Sequence, residues 1–268
     1  MRLIDFHVHV YPEKIAGKAA QNVAAFYDLD TSLSGDIKTL LTERKKAGIS
    51  KCLLLPVAND PVHIQSINDF IAKTVSEHED FFGFGTLHAD MDDPMAEIKR
   101  IKEIGLLGIK IHPDTQRFDT DDKKMFMIYD ILQSIDMPIL IHCGDKKLNF
   151  SHPKKLTKVL DNFPRLRVVA AHLGGWSLFE EAFELLKNRK CYVDISSCLQ
   201  ILDEKQMMRY IQGYGAQRVI FGTDFPLWKP ETEVESFLKL PLSSEERELI
   251  AYKNALSVLG KDKEEFNK

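Results

Sequence analysis

Cysteine is scarce in this 268-residue sequence: Cys52, Cys143, Cys191 and Cys198, with no CxxC pair. That density excludes a disulfide-stapled secreted scaffold, and the thiols are expected to be reduced core residues. Long apolar runs are missing too, with nothing near the ~18 residues needed to cross a membrane. The start, MRLIDFHVHV, carries charges and histidines where a signal peptide would be apolar, so a cytoplasmic location is expected. There is no basic excess. Lys and Arg number 36 against 40 Asp and Glu, a net charge of −4, which argues against nucleic-acid or membrane partners. Internal repeats, low-complexity tracts and Pro/Gly/Ser linkers are absent as well. What remains is 44% apolar and 28% charged residues, the balance of a globular protein with a small-molecule partner or a second copy of itself.

Eight apolar runs of strand length recur at regular intervals. They are residues 3–10 (LIDFHVHV), 51–57 (KCLLLPV), 81–87 (FFGFGTL), 106–112 (LLGIKIH), 138–143 (PILIHC), 166–172 (LRVVAAH), 191–196 (CYVDIS) and 218–224 (RVIFGTD). Several are near-continuous Val/Ile/Leu, as parallel strands covered on both faces are. Amphipathic helical stretches lie between them, at 36–47, 95–104, 122–135, 153–160, 178–186 and 204–211, followed by 231–238 and a closing helix at 243–260. Ser243 with Glu246 forms a capping box at the start of the last one. Alternation on this scale predicts one α/β domain over residues 1–268, a (β/α)8 barrel, since such barrels fill roughly 200–250 residues. A doubly wound sheet is the alternative. It calls for a Gly-rich turn after the first strand, where this chain has Tyr11-Pro12-Glu13. Residues 11–35 are too long for an ordinary connection and read as a lid or specificity insert.

Barrel active sites gather at the C-terminal ends of strands. Six of the nine histidines fall at or just beyond such ends: His7, His9, His88, His112, His142 and His172. His7 and His9, two apart on a strand, share one face. Asp224 follows an apolar run and needs a cation, a metal, several donors or a helix cap. With His142 these residues match a site for one divalent ion, zinc first, with manganese or another transition metal also suited. His172 suits proton transfer beside the metal, or ligation of a second ion. Lys110 could hold a substrate carboxylate, pair with Asp114, or become carboxylated and bridge two metals. His112, which shares its face, is expected to bind substrate, as are His88 and Phe225 at the pocket wall. Gln116, Ser196 and Trp228 are further wall residues. Cys143 should face away from the site.

The motifs DFHVH, GIKIHP, IHCG, AHLGG and GTDFP, in this order, resemble the amidohydrolase superfamily, and within it amidohydrolase family 2. The resemblance extends over essentially the whole chain. It implies a barrel with a divalent metal on His7, His9, His142 and Asp224, and proton transfer by His172. It also implies an enzyme. The expected activity is metal-dependent hydrolysis of a C–O or C–N bond, with Asp224 or His172 taking the proton of a metal-activated water. Non-oxidative decarboxylation at the same site is the alternative, and a silent binding protein a further one.

Overall fold

The protein is described here by a computed structural model covering residues 2–261. Its strands are β1 (Ile4–Val8), β2 (Lys51–Leu54), β3 (Phe81–Gly83), β4 (Gly85–Thr86), β5 (Ile109–Ile111), β6 (Ile139–Ile141), β7 (Val168–Ala170), β8 (Tyr192–Asp194) and β9 (Val219–Ile220). All pair in parallel, in the orders β1-β2-β3 and β4-β5-β6-β7-β8-β9. The break between the two sets is only Phe84. Its N–H donates to Leu54 O at 3.0 Å, while Leu107 N donates to Gly83 O and Gly85 N to Gly108 O, each at 2.8 Å. β3 and β4 are therefore one barrel strand, and the expected eight positions are present. The last meets the first through Phe6 N to Phe221 O (3.0 Å), Asp224 N to His7 O (2.9 Å) and His9 N to Phe225 O (2.8 Å). The chain folds as a (β/α)8 barrel. Among the described residues, no helix is long and apolar enough to cross a membrane.

The helices are α1 (Glu13–Phe26), α2 (Ile37–Ala47), α3 (Ile64–Glu77), α4 (Pro94–Glu103), α5 (Pro113–Gln116), α6 (Lys123–Ser134), α7 (Pro153–Asn162), α8 (Phe179–Leu186), α9 (Glu204–Tyr214), α10 (Pro230–Lys239), α11 (Ser244–Glu248) and α12 (Asn254–Leu259). Local chemistry sets their ends. The Asp36 side chain accepts from Thr39 N at 2.8 Å, and Gly48 closes α2 at φ 69°. Pro opens α4, α5, α7 and α10, where a missing N–H costs nothing. Ser243 and Glu246 form the capping box.

Three segments depart from the sequence reading. The 11–35 insert is not a loop throughout: it carries α1, which buries Ala16, Ala20 and Ala24 at i, i+4 spacing. Helix α3 escaped the pattern because two of its four buried positions, Asn68 and Thr74, are polar. Asn68 is buried, bonding Glu97 Oε1 (2.7 Å) and both the N (2.7 Å) and O (3.1 Å) of Thr86. The closing helix is interrupted by a π turn, Leu249–Lys253, where Phe221 N donates to Ile250 O at 2.9 Å. A widened turn of this kind frees a carbonyl for an outside partner.

Glu233 of α10 has no exposed surface, and neither carboxylate oxygen finds a hydrogen-bond partner among the described residues. Burial pushes its pKa up to about 8; the Gln200 amide nearby offsets part of the rise, and the negative charges of Asp5 and Asp224 add to it. A carboxyl near 4.5 when unfolded and 8 when folded binds more protons in the folded state across that window. Stability should therefore fall as pH rises from about 4.5 to 8. Glu233→Gln should raise the melting temperature at pH 7.5 by several degrees and change it little at pH 5. An equal effect at both pH values would refute this.

Candidate metal centre and its cavity

β1 delivers His7 and His9 to one face, and the turn after β9 brings Asp224 to them. His7 Nδ1 donates to Asp194 Oδ2 at 2.9 Å, and His9 Nδ1 donates to Leu55 O at 2.6 Å. Both Nδ1 protons are thus claimed, so both Nε2 atoms present lone pairs. These face each other at 3.2 Å. Asp224 Oδ1 lies 3.6 Å from His7 Nε2 and 3.5 Å from His9 Nε2. Two lone pairs and a carboxylate oxygen in this arrangement repel unless a cation joins them. Their separations are the edges of a coordination polyhedron with bonds of about 2.1 Å. One cation is already at hand: Lys110 Nζ sits 3.2 Å from His7 Nε2. The donor set fits a divalent ion, and the outer partners of both histidines are those that orient metal ligands.

The protonation states agree. Burial first, and then Lys110, lower His7 to about 3, so its ring is neutral and free to ligate. Burial alone would raise Asp224, but the histidines around it, His7 foremost, hold it well below the usual carboxylate range. Its Oδ2 accepts from Ser197 Oγ at 2.6 Å, and Ser197 in turn accepts from Trp228 Nε1 at 2.8 Å. Asp194 is held at about 2: burial opposes ionisation, but His7 outweighs it.

His172 stands against this cluster, its ring stacked on His7 with centroids 4.9 Å apart. Its backbone N donates to Asp194 Oδ1 (3.0 Å) and its Nδ1 to Ser196 O (3.0 Å), which leaves Nε2 facing His142 Nδ1 at 3.1 Å. His172 and Asp224 both adopt left-handed backbone, φ 56° and 62°. Such non-glycine conformations are held only where surrounding structure over-determines them, and they concentrate at functional sites. Gly144 also needs this region (φ 84°), where a Cβ would strike the Trp176 backbone at 2.6 Å. Its carbonyl accepts from His142 Nε2 at 2.9 Å.

The structure sorts the expected residues into groups. His7, His9 and Asp224 come together, with His172 beside them. His142 is adjacent, but Gly144 and His172 occupy its two nitrogens, and its Nε2 lies 3.9 Å from Asp114 Oδ2. Its ring stacks on His112 at 3.8 Å. Lys110 does not line the cavity: it has no exposed surface, and its amine meets His7. Burial, partly offset by Asp194 and Asp224, lowers it to about 8. His88 is no wall residue either, its nitrogens serving Gln116 O (3.0 Å) and Asp90 N (3.1 Å). Phe225 is fully buried, and it is its carbonyl that binds β1. Gln116 pins strand ends through Ala58 O and Leu87 O, each at 2.8 Å. Ser196 Oγ serves Asp194, His172 and His7.

A cavity of about 230 Å³ opens over the trio. His112, His142 and His172 line it together with Tyr11, Asn22, Tyr27, Asn59 and Thr115, and with apolar Ala19, Val23, Val57 and Leu227. Sequence reasoning passed over Asp194 and Tyr27. Asp194 was findable: like Asp224 it is a carboxylate in an apolar run (CYVDIS). Nothing local marks Tyr27, which reaches the site only through the fold of the insert.

The chain is 24% identical over 244 residues to a 2-amino-3-carboxymuconate-6-semialdehyde decarboxylase of Dictyostelium discoideum, covering 75% of this chain and 67% of that one. It is 24% identical over 146 residues to a dihydroorotase of Coxiella burnetii, where it spans 47% of this chain and only 42% of the relative's length. Among solved structures, an uncharacterized TIM-barrel protein from Bordetella bronchiseptica superposes with a TM-score of 0.81 at 19% identity, over all of both chains. A dihydroxybenzoic acid decarboxylase from Polaromonas sp., with bound manganese and 2-nitroresorcinol, gives 0.74 at 16% identity over 97% of each. The sequence model of the amidohydrolase family, family 2 of the superfamily, matches residues 4–261. With that match over nearly its full length, the chain belongs to the amidohydrolase family and is an enzyme.

Proposed function

We propose that this enzyme is a divalent-metal-dependent, non-oxidative decarboxylase of a small acid. His7, His9 and Asp224 would hold the ion; His142, expected from the sequence as a further ligand, has its nitrogens on Gly144 and His172. Manganese, present in the Polaromonas relative, stands beside zinc as the ion to test. When bound, such an ion supplies positive charge that fixes and polarises an acid at the trio. Residues 4–261 would act as one unit, with the 11–35 insert as its lid.

The observation that carries this reading is the His172–His142 contact. His172 Nδ1–H and His142 Nε2–H are both tied to carbonyls, so two lone pairs meet at 3.1 Å. One further proton completes the pair. Burial, and then His112 and His172, push His142 well below its ordinary pKa, so that proton belongs to the shared contact rather than to a charged His142. Decarboxylation needs such a donor. The C–C bond breaks, its electron pair stays on the substrate carbon, carbon dioxide leaves, and the proton forms the new C–H bond. Hydrolysis needs a base instead; among the carboxylates Asp224 Oδ2 is held by Ser197 and Asp194 by His7, His172 N and Ser196, which leaves that task to the histidine pair alone.

Incubating manganese-loaded protein with hydroxybenzoates in D2O is the test. One carbon dioxide per product, and one deuterium at the vacated carbon, are expected. Incorporation of ¹⁸O from labelled water into the product, without carbon dioxide, would restore the hydrolase reading.

A further inference from the structure

Asp224 has two carboxylate oxygens, and the fold gives them different work. Oδ1 faces the ring nitrogens, 3.6 Å from His7 Nε2 and 3.5 Å from His9 Nε2. Oδ2 is taken by Ser197 Oγ at 2.6 Å. The direction of that bond is fixed from behind. The Trp228 indole is only a donor, and its Nε1 lies 2.8 Å from the same hydroxyl. Ser197 Oγ accepts there, so its own proton points at Oδ2. A hydroxyl bound to a carboxylate at this distance makes a strong, charge-assisted bond.

The backbone is shaped to deliver it. Ser197 is buried in the turn after β8, where Cys198 N donates to Ile195 O at 3.2 Å and Ile195 N donates to Ile220 O at 3.0 Å. Ser197 and Asp224 both adopt left-handed backbone, φ 57° and 62°. Two costly non-glycine conformations thus meet at one hydrogen bond. A carboxylate can grip a divalent ion with one oxygen or with both. With both, Asp224 and the two histidines would fill four positions instead of three. Catalytic sites keep a position open for water or substrate. The cavity opens over the trio, so a position kept free there is within reach of an entering molecule.

We propose that Ser197, directed by Trp228, is a positioning residue. It holds Asp224 Oδ2 so that the carboxylate offers an ion Oδ1 alone, which reserves one coordination position for an incoming anion. This rests on the ion at the trio, and not on which reaction follows.

The test counts the water molecules on manganese in the loaded full chain, from the broadening of its electron paramagnetic resonance lines in H2¹⁷O. Ser197→Ala should carry one bound water fewer than the unsubstituted protein, because Oδ2 is free to take its place. Ala keeps the Cβ, so the turn bears no new strain. Trp228→Phe leaves the hydroxyl free to turn away and should lower the count in the same direction by less than one. Acetate asks of the site only a free position on the ion. It should bind about tenfold more weakly to Ser197→Ala, the lower end of the range for losing an outer partner. Manganese affinity should not fall in either variant, since the ion gains an oxygen. A water count unchanged in both variants overturns the proposal. So does loss of manganese from both, the result if Ser197 only supports the ligand. No manganese on the unsubstituted protein would overturn the trio as well, while an unchanged count on bound manganese sinks this inference alone.

Discussion

Replacing His172 by asparagine is expected to lower kcat by ~10²–10⁴-fold, the range a positioned proton donor supplies, and to leave KM nearly unchanged. The split follows from where the ring sits. His172 is stacked on His7 and tied to Ser196 and Asp194, so it is placed for proton transfer rather than for gripping substrate. Binding to the ion would survive its loss, and delivery of the proton would not. Manganese content and melting temperature should hold, which a merely structural defect would not allow. A His172→Asn enzyme with undiminished kcat would remove His172 from the mechanism.

The second large effect concerns the trio. His9→Ala should leave the protein folded, strip the bound ion and bring turnover to background. Asp194→Asn should be milder. It keeps the shape around His7 but weakens the acceptor that orients Nδ1, a change that costs ~10–100-fold in metal affinity. Added manganese should therefore rescue the Asp194 variant and fail to rescue the His9 variant. Metal content and turnover measured across a manganese titration give both answers. Full turnover by chelator-treated protein lacking any ion would end the metal hypothesis outright.

The barrel was legible because its signals are long-range and redundant: near-continuous apolar strands alternating with amphipathic helices. Helix α3 was lost where two buried polar residues, Asn68 and Thr74, broke the apolar period while satisfying their own hydrogen bonds. The His7–His9 pair and Asp224 were legible because i, i+2 spacing and a carboxylate after an apolar run are statements about direction and desolvation. Lys110 and His88 were harder. Both sit near strand ends, but whether a side chain there turns to the cavity or to a neighbour depends on partners far along the chain. His7 lies 103 positions from Lys110, and Gln116 lies 28 from His88. Tyr27 illustrates the same limit from the other side. No local pattern marks it, yet the insert folds it onto His112 and His142.

The position of the trio relative to the sheet has a mechanical side. His7 and His9 belong to the first strand, while Asp224 follows the last, and the described backbone bonds joining those two strands are few. An ion shared by these three side chains would work as a clasp across the seam of the cylinder. Filling the site and fastening the cylinder would then be one event. Ligand-field chemistry and resistance to unrolling would draw on the same binding free energy.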